Sequence, residues 1–105
     1  MRIPVNGTPE FAGLYQSLNT NDELYKELDA LLEALAENPK LGDLISFEKI
    51  PKSLKKKYPD LDNLLRAEVN RNWRLLYTLV GWPENKTVYV LMAMPHKEYD
   101  QLFGY

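Results

Sequence analysis

The chain alternates between two hydrophobic periods, and the change of period divides it into a helical front and a stranded back. Leu24, Leu28, Leu31, Leu32 and Leu35 recur at helical spacing until Asn38-Pro39 interrupts them, which predicts an amphipathic helix with a buried leucine stripe. Thr20-Asn21-Asp22-Glu23 reads as its capping box, with the two acids favourable at the positive end of the helix dipole. A shorter helix is expected from Pro9 to Leu18, opened by Thr8 as N-cap and proline at the first helical position. Before it, Ile3 and Val5 form a short strand closed by Asn6-Gly7. Residues 40–60 show weaker patterning. Gly42 breaks the chain, Pro51 opens a short helix through Lys57, and Tyr58-Pro59-Asp60 ends it in a turn. A crossover carrying the lysines outward is expected there.

From Asp62 the period becomes two. Leu65, Ala67 and Val69 alternate with Arg66, Glu68 and Asn70, and Asn70-Arg71-Asn72 makes a hairpin turn without the usual glycine. Trp73 to Val80 follows as an apolar and aromatic strand, then a loop over Gly81-Trp82-Pro83-Glu84-Asn85. Thr87 to Met94 is nearly all apolar, as expected of a strand buried on both faces. Pro95 ends it, and His96 to Phe103 forms one or two helical turns. The expected fold is α+β: an antiparallel sheet of about four strands, with the N-terminal helical hairpin packed on one face. The element order is β-α-α-β-β-β plus a short C-terminal helix, and residues 1–105 form a single domain.

Charge sharpens the division. Residues 1–48 hold three Lys or Arg against nine Asp or Glu, a balance of −6; residues 49–105 hold ten against six, a balance of +4. The net of −2 therefore hides a cationic half that can face phosphate. Lys55-Lys56-Lys57 is its densest run. The chain has no cysteine and one histidine, which leaves no thiolate site and no HExxH or multi-histidine metal site; no cofactor is expected. There is no glycine-rich phosphate loop and no Gly-x-Ser-x-Gly nucleophile elbow. No apolar run approaches a membrane span and the start lacks a signal-peptide pattern, so no membrane association and a cytoplasmic location are the expectations.

The residues able to carry chemistry gather around the last strands: Arg66, Arg71, Arg74, His96, Lys97, Tyr99 and the three lysines. Arg74 interrupts the apolar stretch Trp73-Arg74-Leu75-Leu76-Tyr77. It must either reach solvent or find a carboxylate, because an unpaired buried charge is very costly. Glu68 across the hairpin would serve as a structural partner, and a phosphate as a functional one. His96 is the one side chain with an ordinary pKa, about 6.5, suited to give and take protons near neutrality. Tyr99, three residues on, would share its helical face, and Phe103 would tether the turn to the core.

Ile50-Pro51-Lys52-Ser53-Leu54-Lys55-Lys56-Lys57-Tyr58, Asp62-Asn63-Leu64-Leu65, Asn72-Trp73-Arg74-Leu75-Leu76-Tyr77-Thr78, and His96-Lys97-Glu98-Tyr99-Asp100 with Phe103-Gly104-Tyr105 form an ordered set. Together they resemble a RelE/ParE-superfamily toxin, nearest to the archaeal form. The resemblance covers residues 50–105, and the hairpin before them fits the superfamily's element order. It implies the toxin of a type II toxin–antitoxin system, neutralised by a bound antitoxin protein, monomeric or a small homo-oligomer when free. It implies a ribosome-dependent mRNA endonuclease that blocks translation by cleaving RNA through its own 2′-hydroxyl, without metal. Arg74 would then stabilise charge, His96 act as acid or base, and Tyr99 serve as a base-stacking platform or proton donor. Arg66, Arg71, Lys97, Lys55, Lys56 and Lys57 would bind the RNA backbone. Two other readings stay open. One is a toxin-fold binding module without nuclease activity, either a gyrase inhibitor or a degenerate toxin acting through its antitoxin. The other is a plain interaction domain.

Overall fold

The structure is a computed structural model, and it describes residues 2–81 and 87–104. In chain order the elements are β1 (Val5–Gly7), α1 (Pro9–Ser17), α2 (Glu23–Glu37), β2 (Asp43–Leu44), a 3₁₀ turn (Phe47–Lys49), α3 (Lys52–Lys57), β3 (Leu65–Asn70), β4 (Trp73–Val80), β5 (Thr87–Pro95) and α4 (His96–Phe103). They form one five-stranded sheet in the order β1-β5-β4-β3-β2. The α+β class, the helical hairpin and the β3–β4–β5 meander follow the pattern of the chain. Most of the loop expected over residues 81–85 lies outside the described residues.

Two features of the sheet correct the expectation. It is mixed, because β1 lies parallel to β5, with Val5 opposite Val88 and Gly7 opposite Val90. A first strand without a sequence-adjacent partner carries no local signal of its pairing direction. The fifth strand is β2, only two residues long, antiparallel to β3 with Asp43 opposite Arg66 and Leu44 opposite Leu65. Two residues are too few for alternation to register.

Both sheet faces are covered. On one, Phe11 of α1 and Leu28, Leu31 and Leu35 of α2 pack against Leu65, Ala67, Leu75, Tyr77, Val88 and Val90. On the other, Leu54 of α3 and Tyr99 of α4 join Ile50, Leu61, Leu64, Leu76, Leu91 and Met94. A register shift between Leu76 and Tyr77 places Met92 opposite the first and Val90 opposite the second, so Leu91 is the extra residue of a bulge. The bulge lets Leu91 and Met92, neighbours in sequence, both join the cluster beneath α4.

Local chemistry explains the ends. Thr8 caps α1 as expected, its Oγ1 accepting from Phe11 N–H at 3.1 Å, and it also donates to the Leu91 carbonyl at 2.7 Å. The capping box of α2 does not form. The helix begins three residues after Thr20, and Asp22 accepts from the Asn19 N–H at 3.3 Å. The β3–β4 turn dispenses with glycine because Asn70 Oδ1 accepts from the Asn72 N–H at 2.7 Å, an Asx closure that tightens the turn; no non-glycine residue has positive φ among the described residues.

The short β2 is held by one buried hydroxyl. Tyr77 Oη accepts from the Gly42 N–H at 2.9 Å and donates to the Pro39 carbonyl at 2.8 Å. Burial pushes the Tyr77 hydroxyl's pKa above its ordinary value, which keeps it a donor. A Cβ on Gly42 would lie 2.6 Å from the Arg66 carbonyl and 2.8 Å from Tyr77 Oη. Gly42→Ala must therefore push β2 off the sheet, at a cost of about 1–3 kcal/mol. Thermal melts should show its midpoint lowered by roughly 5–20 °C. An unchanged midpoint would mean that β2 is not clamped as described.

Candidate nucleic-acid-binding and catalytic face

Pairing register decides which cations share a face. Leu76 of β4 belongs to the cluster beneath α3 and α4. Arg66 stands directly opposite Leu76 on β3. Arg74 lies two residues before Leu76, so period two sends it to that same side, between Glu68 on β3 and Met94 on β5. Helix α4 then folds back over this end of the sheet. Its first residue is anchored to the β3–β4 turn, His96 N–H donating to the Asn72 carbonyl at 2.6 Å. Strand register thus sets Arg66 and Arg74 on one face, Tyr99 reaches Arg66 from α4, and His96 stands at the start of that helix beside the β3–β4 turn.

The Arg66 guanidinium is held on two sides. Nη2 meets Asp43 Oδ2 at 3.0 Å, and Nη1 donates to Tyr99 Oη at 3.4 Å. Its carbon lies 5.8 Å from the centre of the Tyr99 ring. Nε is buried without a hydrogen-bond partner. The Asp43 carboxylate, then the Tyr99 hydroxyl, raise the guanidinium's pKa above its ordinary value. Arg74 is more enclosed, its side chain 13% exposed, with Nη2 3.7 Å from Glu68 Oε1 and Nη1 donating to the Trp73 carbonyl at 3.3 Å. The Glu68 contact is ionic rather than a hydrogen bond, since 3.7 Å exceeds hydrogen-bonding range. Of the two partners weighed for Arg74 in the sequence, the carboxylate is the one at hand.

His96 is half exposed, and its Nε2 lies 3.1 Å from Asp100 Oδ2, one helical turn on. No described residue bonds Nδ1. The shared helical face expected for His96 and Tyr99 is not found. Tyr99 turns inward, 2% exposed, and its ring stacks on Phe103 at 4.4 Å between centroids. The two residues lie three apart, about 300° around the helix, and the core takes only the second. The base-stacking role is thereby corrected, because a ring inside the core offers no platform. Its hydroxyl accepts from Arg66.

Arg71 at the hairpin tip and Lys97, next to His96 in the first turn of α4, are exposed. The lysine run does not project as one charge. Lys57 Nζ is 2.8 Å from Glu10 Oε2, and that carboxylate raises its pKa. Lys55 Nζ sits 4.2 Å above the Phe47 ring, while Lys56 is exposed. Among the described residues no group of three or more Asp, Glu or His side chains converges as a metal site would, and no helix is long and apolar enough to cross a membrane.

No family model matches the sequence, and no curated protein matches it. Solved structures do resemble the fold. The YoeB dimer from Staphylococcus aureus superposes with a TM-score of 0.60 at 18% identity, over 91% of this chain and 99% of that one. A YoeB/ParE toxin from Agrobacterium tumefaciens gives 0.61 at 12% identity, over 90% and 99%. The chain has the RelE/ParE-like toxin fold. At these identities the likeness is one of architecture, and it spans nearly the whole of each toxin.

Within that fold, two acidic residues that gave no hint of a role in the sequence stand at the site. Asp100 was signalled only by its i,i+4 spacing from His96 on a helix, a spacing that brings side chains together. Asp43 carried no such signal, because its approach to Arg66 depends on the unforeseen strand β2.

Proposed function

We propose that this chain is the toxin of a type II toxin–antitoxin pair and acts as a ribosome-dependent mRNA endonuclease. The observation that supports the reading is that strand register sets Arg66 and Arg74 on one sheet face, with His96 opening the helix that packs on that face. RNA supplies its own nucleophile, so the protein needs only a proton acceptor, charge on the developing phosphorane and a protonated leaving oxygen. His96 takes the 2′-hydroxyl proton, with Asp100 fixing its imidazole. The 2′-oxygen bonds to phosphorus as the bond from phosphorus to the 5′-oxygen breaks, leaving a 2′,3′-cyclic phosphate. The 5′-oxygen takes a proton from the imidazolium or from water, to which the half-exposed ring is open. Arg66 and Arg74 stabilise the phosphorane, and Tyr99 acts as a positioning residue for Arg66. Arg71, Lys97, Lys55, Lys56 and Lys57 attract the RNA backbone. The antitoxin would bind over this cationic face.

The test is incubation of the purified protein with programmed ribosomes and messenger, with cleavage mapped by primer extension. Fragments ending in a cyclic phosphate and a 5′-hydroxyl are expected. Intact messenger at stoichiometric protein overturns the nuclease reading. A second reading has one specific observation in its favour: Asp43 and Glu68 already occupy both arginines, as suits a toxin-fold module that binds without cleaving. Growth arrest without RNA cleavage, with gyrase inhibited, would establish it.

The lysines allow a separate check. Since Lys55, Lys56 and Lys57 act through charge alone, reversing all three to Glu should weaken RNA binding alike for every sequence. The slope of log affinity against log salt should flatten by about one for each phosphate left without a cation. Cleavage abolished at undiminished affinity would contradict this.

A further inference from the structure

The ion pairs of the described residues follow a pattern. Four of them take a cation of the proposed RNA face: Arg66 to Asp43, Arg74 to Glu68, His96 to Asp100 and Lys57 to Glu10. The two arginine partners have the most distinctive geometry. Their side chains are 78% and 63% exposed, so water competes for both carboxylates and little packing holds them in place. Each makes an incomplete contact. Asp43 reaches Nη2 of Arg66 while the adjacent Nε, on the same edge of the guanidinium, has no partner. Glu68 stays at 3.7 Å from Arg74. An arginine edge is built for two parallel bonds to a pair of oxygens, and neither carboxylate supplies them.

We infer that Asp43 and Glu68 are specificity-determining residues, surrogate anions that occupy the arginine edges where an RNA phosphodiester binds and must leave before it can. The inference rests on the RNA-cleaving reading of this face. A phosphate positioned between Arg66 and Arg74 offers the paired oxygens that each edge lacks, and an exposed carboxylate yields to it by rotating into water. Stray RNA, bound only through long-range charge, meets a face whose two strongest cations are already neutralised. RNA held in place by other contacts displaces the carboxylates and is retained. The acids therefore suppress unproductive binding and make the site dependent on a substrate presented to it. They do so without touching the reacting atoms.

The experiment measures binding of a short fluorescein-labelled single-stranded RNA by anisotropy across a salt series. It compares the full chain with Asp43→Asn, Glu68→Gln and the double variant. Glu33→Gln is the charge control, since it removes one negative charge from α2, on the far side of the sheet. Each site variant should bind about two- to five-fold tighter at low salt, the scale of an exposed ion pair. Its salt slope should be steeper by up to about one, while Glu33→Gln stays near the unmodified protein. Site variants no tighter than Glu33→Gln overturn the inference. Because Asp43 sits on the clamped β2, melting curves accompany the binding, and Glu68→Gln, on β3, gives the same answer independently of that strand. Arg66→Ala with Arg74→Ala separates the two failures. If that pair abolishes binding while the carboxylate variants do not strengthen it, only the surrogate-anion role falls. If the pair changes nothing, or neither the unmodified protein nor any carboxylate variant binds RNA at any salt, the RNA reading falls with it.

Discussion

His96→Gln should fold normally and cleave messenger about 10²–10⁴-fold more slowly, the loss typical of removing a general base. The fold should survive because the ring is half exposed and holds no place in either core cluster. What anchors α4 to the β3–β4 turn is the backbone N–H of residue 96, which donates to the Asn72 carbonyl and is kept by any side chain except proline. A Gln amide also still reaches toward Asp100, so the surface charge and the hydrogen bonding of the turn change little. It lacks a site that accepts a proton near neutrality. Single-turnover cleavage on programmed ribosomes isolates the chemical step, and RNA affinity should stay within about two-fold, since a neutral group replaces one charged only when protonated. Asp100→Asn should give a smaller loss, because it disturbs the ring's orientation and leaves the ring in place. A His96→Gln protein that cleaves at the unmodified rate would remove the imidazole from the mechanism.

The parts of this molecule legible in its sequence are those set by local spacing. The leucines of α2, the alternation of β3 and the continuous apolar run of β5 each repeat often enough to declare their period, and α1 declares its start through Thr8 and Pro9. The missed features are long-range or very short. The parallel pairing of β1 joins residues more than eighty positions apart. The strand β2 exists because Tyr77 clamps Gly42, a contact no window of residues reveals. The site divides along the same line. Arg66 and Arg74 could be placed on one side of the sheet by period two, and His96 at the rim by the proline before it. The inward turn of Tyr99 could not, because residues three apart on a helix lie near a common face and the core decides which of the two it takes. The carboxylate at Arg66 depended on β2 and stayed hidden with it, while the one at Arg74 could be named from the hairpin register.

Tyr99 joins the fold to the chemistry, and two substitutions there should separate its contributions. Tyr99→Ala removes a ring that is 2% exposed and stacked on Phe103, leaving a cavity among Leu76, Leu91 and Met94. The expected cost is about 3–5 kcal/mol, a large fraction of the ~5–15 kcal/mol that holds a domain together. The melting midpoint should fall by well over about 10 °C. Tyr99→Phe keeps the ring and its stack and removes the hydroxyl that accepts from Arg66 at 3.4 Å. A hydrogen bond that long contributes little to stability, so the melt should shift by less than about 1 kcal/mol. Arg66 then keeps Asp43 on Nη2 but has no acceptor on Nη1 to set the guanidinium's plane. Cleavage should slow by about three- to ten-fold, in kcat rather than KM, because a misaimed cation still attracts RNA while stabilising the phosphorane less well. Should Tyr99→Phe prove as inactive as His96→Gln at full stability, the hydroxyl would be a proton donor in its own right, and α4 would have to open to bring it to the leaving oxygen. Should Tyr99→Ala melt like the unmodified protein, the ring would not be part of the core, and the stacking role excluded by its burial would return.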